Sequence, residues 1–283
     1  MLRIAIPNKG SLSGPAGTML QEAGYRQRID SKELVTVDEE NAVEFFYLRP
    51  RDIAVYVGSG QLDIGITGRD LLLDSAAAAQ EVSALGFARS TFYYAGTPGT
   101  AHTVQDLDGM TIATSYPRLV AKHLAEHGVT AGAIVRLDGA VETSLRLGVA
   151  QVIADVVETG TTLAHLGLAT IGEPIMESEG IVIRPTHAET NNSAAQRFLR
   201  RLHSVEVARG YVMMDYDIPI EDVEQAVALT PGLESPTVSP LHRHGWAAVR
   251  AMVPTDSAQT VMDQLETIGA RAILATKIHA CRI

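Results

Sequence analysis

The stretch Val152-Ile-Ala-Asp-Val-Val-Glu-Thr-Gly-Thr-Thr-Leu163 gathers the residue types that hold a phosphate monoester. An apolar strand carrying Asp155 feeds a loop of Glu158, Thr159, Gly160, Thr161 and Thr162 that opens a new helix. Successive backbone N–H groups at a helix start, threonine hydroxyls and the positive end of the helix dipole together form an anion site. Carboxylates at the strand end suit sugar hydroxyls or Mg²⁺, whose usual ligands are one or two carboxylates plus substrate oxygens. The combination suits a sugar phosphate, while a threonine-rich turn also serves simply as a helix cap.

Cationic groups recur at the ends of three further strands. Lys9 lies in Pro7-Asn-Lys-Gly-Ser11, Arg49 closes the run Val43–Leu48, and Arg69 lies in Thr67-Gly-Arg-Asp70. These are the places where a triphosphate or pyrophosphate would need counter-charge on an otherwise acidic chain. Other chemistries drop out by motif. No GxxxxGKS/T loop is present, and Gly58-Ser-Gly60 leads into a strand rather than out of one, which removes P-loop and dinucleotide readings. His123 and His127 stand four apart with Glu126 between them, so the HExxH order is absent and a solvated helix face is expected. His242 and His244 flank Arg243 in an expected surface loop, and no GxSxG elbow marks a hydrolase nucleophile.

Short apolar runs alternate with helical stretches over the first two hundred residues, which predicts an α/β architecture with mostly parallel sheet. Strands are expected near Leu2–Pro7, Val43–Leu48, Leu62–Thr67, Ser83–Phe87, Phe92–Ala95, Met110–Thr114, Ala133–Leu137, Val152–Val157 and Ile181–Ile183. Apolar residues at three- and four-residue spacing predict helices near Ser13–Ala23, Pro50–Gly58, Pro117–Glu126, Val141–Leu147 and Asn192–Val207. The segments Gly58–Leu72 and Gly148–Leu163 both run from a helix end through a strand and a glycine turn into a new helix. Two similar lobes facing each other would put both turns on opposite walls of one cleft. After Gly210 the expected order Tyr211–Asp215, Ile220–Ala228, Thr237–Pro240, Trp246–Val253, Ser257–Ile268 and Ala272–Thr276 spells βαββαβ, the split unit of ferredoxin-like folds.

Bulk composition agrees with a folded, soluble protein. The chain has 283 residues, 46% hydrophobic and 20% charged, with 23 basic and 33 acidic side chains for a net charge of −10. That balance argues against general nucleic-acid binding, which takes a concentrated basic surface. No run approaches the roughly 18 apolar residues of a membrane span. A single cysteine, Cys281, rules out an internal disulfide and fits a reducing compartment, hence a cytoplasmic location.

In these residues the chain resembles the long form of the ATP phosphoribosyltransferase family. The landmarks are Arg3-Ile-Ala-Ile-Pro-Asn-Lys-Gly10, Phe45-Phe-Tyr-Leu-Arg-Pro50, Asp63-Ile-Gly-Ile-Thr-Gly-Arg-Asp70, Ile112-Ala-Thr-Ser-Tyr-Pro117, Asp155-Val-Val-Glu-Thr-Gly-Thr-Thr-Leu163 and Thr230-Pro-Gly-Leu-Glu-Ser-Pro-Thr237, in that order. The resemblance implies two periplasmic-binding-protein-like lobes, 1–90 with 185–210 and 91–184, and a ferredoxin-like regulatory domain over 211–283. It implies transfer of phosphoribose from 5-phosphoribosyl 1-pyrophosphate to N1 of ATP with release of pyrophosphate, with Mg²⁺ reached through the substrate and Asp155 as its candidate protein ligand. It further implies that Asp155 and Glu158 to Thr162 bind the phosphoribosyl group. Lys9, Gly10, Ser11, Arg49, Arg69, Asp70 and Tyr116 would line the ATP and pyrophosphate side, with Asp155, Lys9 and Arg49 catalytic. Histidine would inhibit by binding Asp217, Leu233, Ser235, Thr237 and Ala272, in a homo-oligomer built from dimers up to a hexamer. Two rivals remain at this stage: a two-lobed solute-binding protein with a sensor attached, and a sensor whose lobes have lost catalysis.

Overall fold

A computed structural model describes residues 1–157, 163, 165–187 and 192–282. Two mixed sheets form the first part of the chain. The first has the order β2-β3-β1-β4-β11-β5, built from β1 (Leu2–Pro7), β2 (Val35–Asp38), β3 (Val43–Leu48), β4 (Ile64–Gly68), β5 (Ala79–Ala84) and β11 (Gly180–Pro185). The second has the order β10-β6-β9-β7-β8, from β6 (Ser90–Gly96), β7 (Thr111–Thr114), β8 (Ala133–Arg136), β9 (Val152–Val157) and β10 (Ala169–Ser178). In β1 every residue but Arg3 is buried, and β4 is buried throughout. Such unbroken apolar runs are what a strand covered on both faces requires.

The mostly parallel expectation is corrected. β1 runs parallel to β3 and β4, but β11 is antiparallel to β4 and β5, and β2 is antiparallel to β3. The second sheet repeats the pattern: β7 is parallel to β8 and β9, while β6 is antiparallel to β9 and β10. The rows β3-β1-β4-β11-β5 and β8-β7-β9-β6-β10 therefore share one order and one set of directions. β4 and β9, the strands of the two look-alike sequence segments, hold equivalent places. The antiparallel strand of each sheet arrives directly from the other sheet, so the chain crosses between lobes after β5 and again after β10. The expected lobe boundary at 184/185 thus cuts through β11, which belongs to the first sheet.

The crossing is tightly stitched. Gly180 donates its N–H to the Phe87 carbonyl at 2.8 Å and accepts from Leu85 at 2.9 Å. A Cβ on Gly180 would lie 2.5 Å from the Phe87 ring, so only glycine lets the ring close over the strand. Phe87, expected inside a strand, instead lies beyond the end of β5 and makes this contact.

The helices α1 (Ser13–Glu22), α2 (Pro50–Gly58), α3 (Arg69–Ser75), α4 (Pro117–Glu126) and α5 (Thr143–Arg146) follow strand ends. Proline at the first position starts both α2 and α4, where a missing N–H costs no helical bond. α2 buries Ile53, Ala54 and Val57 in one cluster with Ala5, Leu62, Leu72, Ile181 and Ile183. Burial of each large aliphatic side chain contributes about 1.5–3 kcal/mol. In the second lobe, Leu119, Val120 and Leu124 of α4 pack with Phe92, Tyr94, Ile112 and Val152.

The chain divides into two compact units, and the second holds Glu22–Gly24 and Gln196–Ile283. Most of α6 (Ser193–Gly210) lies in this unit, where the sequence had suggested a return to the first lobe. Its sheet, in the order β13-β14-β12-β15, is wholly antiparallel and comprises β12 (Tyr211–Pro219), β13 (Thr237–Pro240), β14 (Trp246–Pro254) and β15 (Arg271–Lys277). With α7 (Val223–Leu229) and α8 (Ala258–Thr267) the order is βαββαβ. Val212, Met214, Tyr216 and Ile218 alternate into a core with Ala226, Val249 and Leu265, leaving Asp215 and Asp217 on the other face of the sheet. Among the described residues no helix is long and apolar enough to cross a membrane.

Candidate active site

A cavity of about 160 Å³ opens where the carboxyl ends of strands from both lobes meet. Lys9, Gly10 and Ser11 follow β1, Pro50 follows β3, and Gly68 and Asp70 span the step from β4 into α3. Tyr116 follows β7, Val156 lies on β9, and Ser90, Ser178 and Glu179 come from the crossing segments. Parallel strands with a topological reversal between them leave such a crevice at their carboxyl ends.

Asp70 is the best-held group in it. The side chain is 7% exposed, and Ser178 Oγ donates to its Oδ1 at 2.7 Å while accepting from its backbone N–H at 3.1 Å. A Cβ on Gly68 would stand 2.3 Å from that same Oδ1, so the glycine two residues earlier makes room for the carboxylate. Tyr116 is buried against Phe92, edge to face at 5.1 Å. Burial first, then the charge of Asp70, pushes its hydroxyl well above the ordinary phenol range.

Asp155 sits on β9 just before Val156, whose N–H donates to its Oδ1 at 2.8 Å. Burial raises its pKa to about 6, against the lowering effect of that N–H; Glu142 and Asp70 raise it further and Arg51 lowers it. The carboxylates of Asp155 and Asp70 are therefore close enough to feel each other, with Arg51 partly offsetting them. Among the described residues no group of three or more His, Cys, Asp or Glu could hold a metal alone.

Of the residues expected on the nucleotide side, Lys9, Gly10, Ser11, Asp70 and Tyr116 line this cavity. Arg49 is exposed and precedes lining Pro50. Arg69 is turned to acidic neighbours. Its guanidinium forms two bonds to Glu81, at 2.8 and 2.9 Å, and one to Glu179 at 3.3 Å, and it is not among the lining residues. The neighbour that faces inward is Asp70, because consecutive residues of a helix's first turn point about 100° apart. Glu158, Thr159, Gly160, Thr161 and Thr162 lie outside the described residues.

Arg51 escaped the sequence reading. It follows Pro50 in the first turn of α2, pairs with Asp74 at 3.0 Å and lies 4.9 Å over the Tyr116 ring. Its signal was the second arginine of Arg49-Pro-Arg51, which spacing alone could not rank above the first. Asn8 was also missed: its Oδ1 is buried without a hydrogen-bond partner, one residue before Lys9. His123 departs from the solvated-face expectation. It is half-buried, meets Tyr94 Oη at 3.2 Å through Nδ1 and stacks on His127 at 4.3 Å.

In the second unit, Asp217 is in register with Ala248 and Arg271, beside a bulge at which Ala272 has φ +48°. Leu233 and Ser235 are exposed in the turn before β13, and Thr237 starts that strand. β13 and β15 are opposite edges of the sheet, three inter-strand steps apart. Asp217 on β12 is therefore next to Ala272, while Thr237 stands on the far edge of the sheet.

The family model described as ATP phosphoribosyltransferase matches residues 49–204, and that described as HisG, C-terminal domain matches residues 208–280. The chain is 67% identical to an ATP phosphoribosyltransferase of Streptomyces avermitilis and 68% identical to one of Streptomyces coelicolor, each match covering 100% of both proteins. Among solved structures, it matches the ATP phosphoribosyl transferase (HisG:HisZ) complex from Thermotoga maritima with a TM-score of 0.63 at 26% identity. That match covers 72% of this chain and 98% of that one.

Proposed function

This chain belongs to the ATP phosphoribosyltransferase family, and we propose that the cavity between its two lobes is where it carries out that family's reaction. 5-Phosphoribosyl 1-pyrophosphate gives up its phosphoribosyl group to N1 of ATP, releasing pyrophosphate in the first step of histidine biosynthesis. The observation that carries this reading is the convergence of Lys9, Asp70 and Tyr116 at strand ends of both lobes, beside Asp155 on β9. Both substrates are cytoplasmic metabolites, which supports a cytoplasmic location.

Displacement at the anomeric carbon leaves positive character on the ribose while negative charge grows on the departing pyrophosphate. Lys9, with Arg49 and Arg51 close by, suits the growing negative charge, and a group that binds it more strongly at the transition state lowers the barrier. Asp155 suits the ribose, accepting from its hydroxyls and facing the cationic ring. The loop 158–162 carries the phosphate in this reading. Holding adenine N1 in line with the anomeric carbon turns a two-substrate encounter into a nearly unimolecular step, worth effective molarities of about 10⁵ M or more. In-line attack opposite pyrophosphate inverts the anomeric centre.

The carboxylates of buried Asp70 and half-buried Asp155 fit Mg²⁺ held by one or two protein oxygens and otherwise by substrate. A bound Mg²⁺ supplies charge neutralisation at the leaving pyrophosphate.

The second unit is the regulatory domain in this proposal, and histidine is its effector. Asp217 would take the ammonium or imidazole, beside the strained Ala272 backbone. Since Leu233, Ser235 and Thr237 lie toward the opposite sheet edge, two copies meeting through these domains would complete the site. This supports a homo-oligomer, assembled from dimers toward a hexamer.

The test mixes purified protein with ATP, 5-phosphoribosyl 1-pyrophosphate and Mg²⁺ and follows pyrophosphate and N1-(5-phosphoribosyl)-ATP. Formation of both supports the assignment. Absence of product without histidine present would favour a solute-binding or purely sensory protein.

A further inference from the structure

α3 of the first lobe and α4 of the second meet through the carboxylate of Asp74 and through an apolar cluster that Leu71 shares with Leu119 and Val120. Asp74 lies in the last turn of α3 and is 7% exposed. Its Oδ1 accepts from the N–H groups of Arg118 at 3.0 Å and Leu119 at 3.2 Å, the second and third residues of α4. Its Oδ2 accepts from Arg51 Nη1 at 3.0 Å. Arg118 Nη1 returns across the same gap to the Ser75 carbonyl at 2.6 Å.

Two features make this more than a surface ion pair. The N-cap of α4 is Tyr116, whose side chain caps nothing, so the N–H groups of Arg118 and Leu119 find their acceptor only on the other lobe. Asp74 meanwhile sits at the negative end of its own helix, where a carboxylate is disfavoured. It is stabilised there by Arg51 and by the positive end of α4. The favourable end of the bargain exists only while the lobes are together.

We propose that Asp74 is the closing latch of the cleft, a positioning residue that docks the start of α4 and in the same contact holds Arg51 over Tyr116. Arg51 extends from the strand end after β3 and Tyr116 from the strand end after β7, so one carboxylate sets the contact between a side chain of the first lobe and a wall residue of the second. When the lobes part, Arg118 and Leu119 turn to water and Arg51 loses its anchor on the Tyr116 ring. Closure and the ordering of these groups are then a single event.

The inference rests on the proposed reaction for its kinetic readout alone; a distance readout stands without it. Spin labels at Tyr56→Cys on α2 and Lys122→Cys on α4, in a Cys281→Ser background diluted with unlabelled protein, report lobe separation. Wild type should give one short distance, Asp74→Ala a second and longer population, and the isosteric Asp74→Asn a smaller shift in the same direction. kcat/KM should fall about ten-fold or more for both ATP and 5-phosphoribosyl 1-pyrophosphate in Asp74→Ala, since only the closed fraction is competent. Unchanged distances in the folded variants overturn the latch, whatever the kinetics. Unchanged kcat/KM for both substrates, in an enzyme that turns over, overturns it as well. Altered distances in a protein whose wild type makes no product leave the latch standing and overturn the reaction. If the alanine variant does not fold, the asparagine variant decides alone.

Discussion

Half-buried Asp155 shows at the scale of one residue what desolvation does to a carboxyl. Its carboxyl titrates near pH 6 instead of at the ordinary 3.8, chiefly because burial penalises the charged form. A carboxylate whose folded pKa is raised costs the fold its full penalty above about pH 6, and the cost vanishes below about 3.8. Asp155→Asn should therefore be more stable than wild type at pH 8 in the absence of ligands, by up to about 2–3 kcal/mol. The gain should shrink as pH falls through 6 toward 4; urea titrations at both pH values would measure it, and a pH-independent difference would contradict the assignment. The threonines that follow make a second residue-scale prediction. Thr161→Ala with Thr162→Ala should raise KM for 5-phosphoribosyl 1-pyrophosphate by about thirty-fold and leave KM for ATP little changed, as the loss of two hydroxyl donors at about 1 kcal/mol each would give. Equal losses for both substrates would instead mean a general defect. Strand-end position was enough to find Lys9, and the family resemblance pointed to Asp70 and Tyr116; all three line the cavity. Strand-end position could not tell Arg69 from Arg51, because whether an arginine reaches the Tyr116 ring or turns to an acidic neighbour such as Glu81 depends on partners far away in the chain.

Elements were legible in proportion to how fully they are buried and how sharply they start. β1, β3, α2, α4 and β9 have the bounds that apolar runs and first-position prolines predict. β2 and β10 were invisible to the same reading. β2 is a sheet edge with Val35 and Val37 more than 40% exposed, and β10 is an edge strand with a bulge between Ile171 and Met176 and Pro174 within it. Sheet direction was likewise hidden, since the strands that reverse it, β6 and β11, owe their places to the chain crossing between lobes. The crossing is itself open to test. Gly180→Ala places a methyl against the Phe87 ring and should destabilise the protein by about 1–3 kcal/mol, the usual cost of overpacking. Adding Phe87→Leu should return part of that loss in thermal melts. A double variant no more stable than the single one would mean the ring is not what confines position 180.

At the scale of the whole molecule, the sequence reading divided catalysis from regulation after Gly210, while contact within the chain draws the line near Gln196 and gives most of α6 to the second unit. The difference is physical: α6 is one continuous helix burying Phe198, Leu202 and Val205, and no break in its sequence marks where one unit ends. The regulatory role proposed for the second unit requires a free-energy coupling between distinct sites, typically 1–3 kcal/mol. Asp217 tests it most directly, because it stands on the sheet face away from its own helices, beside the strained Ala272. Asp217→Ala should raise the histidine concentration needed for half inhibition by about ten-fold or more, the loss of one charge-assisted bond. Its kcat and both KM values should stay at wild-type levels when histidine is absent. Inhibition that survives intact would move the effector elsewhere. A fall in uninhibited kcat would mean that Asp217 supports the catalytic lobes directly, which would leave no separable regulatory site on this strand.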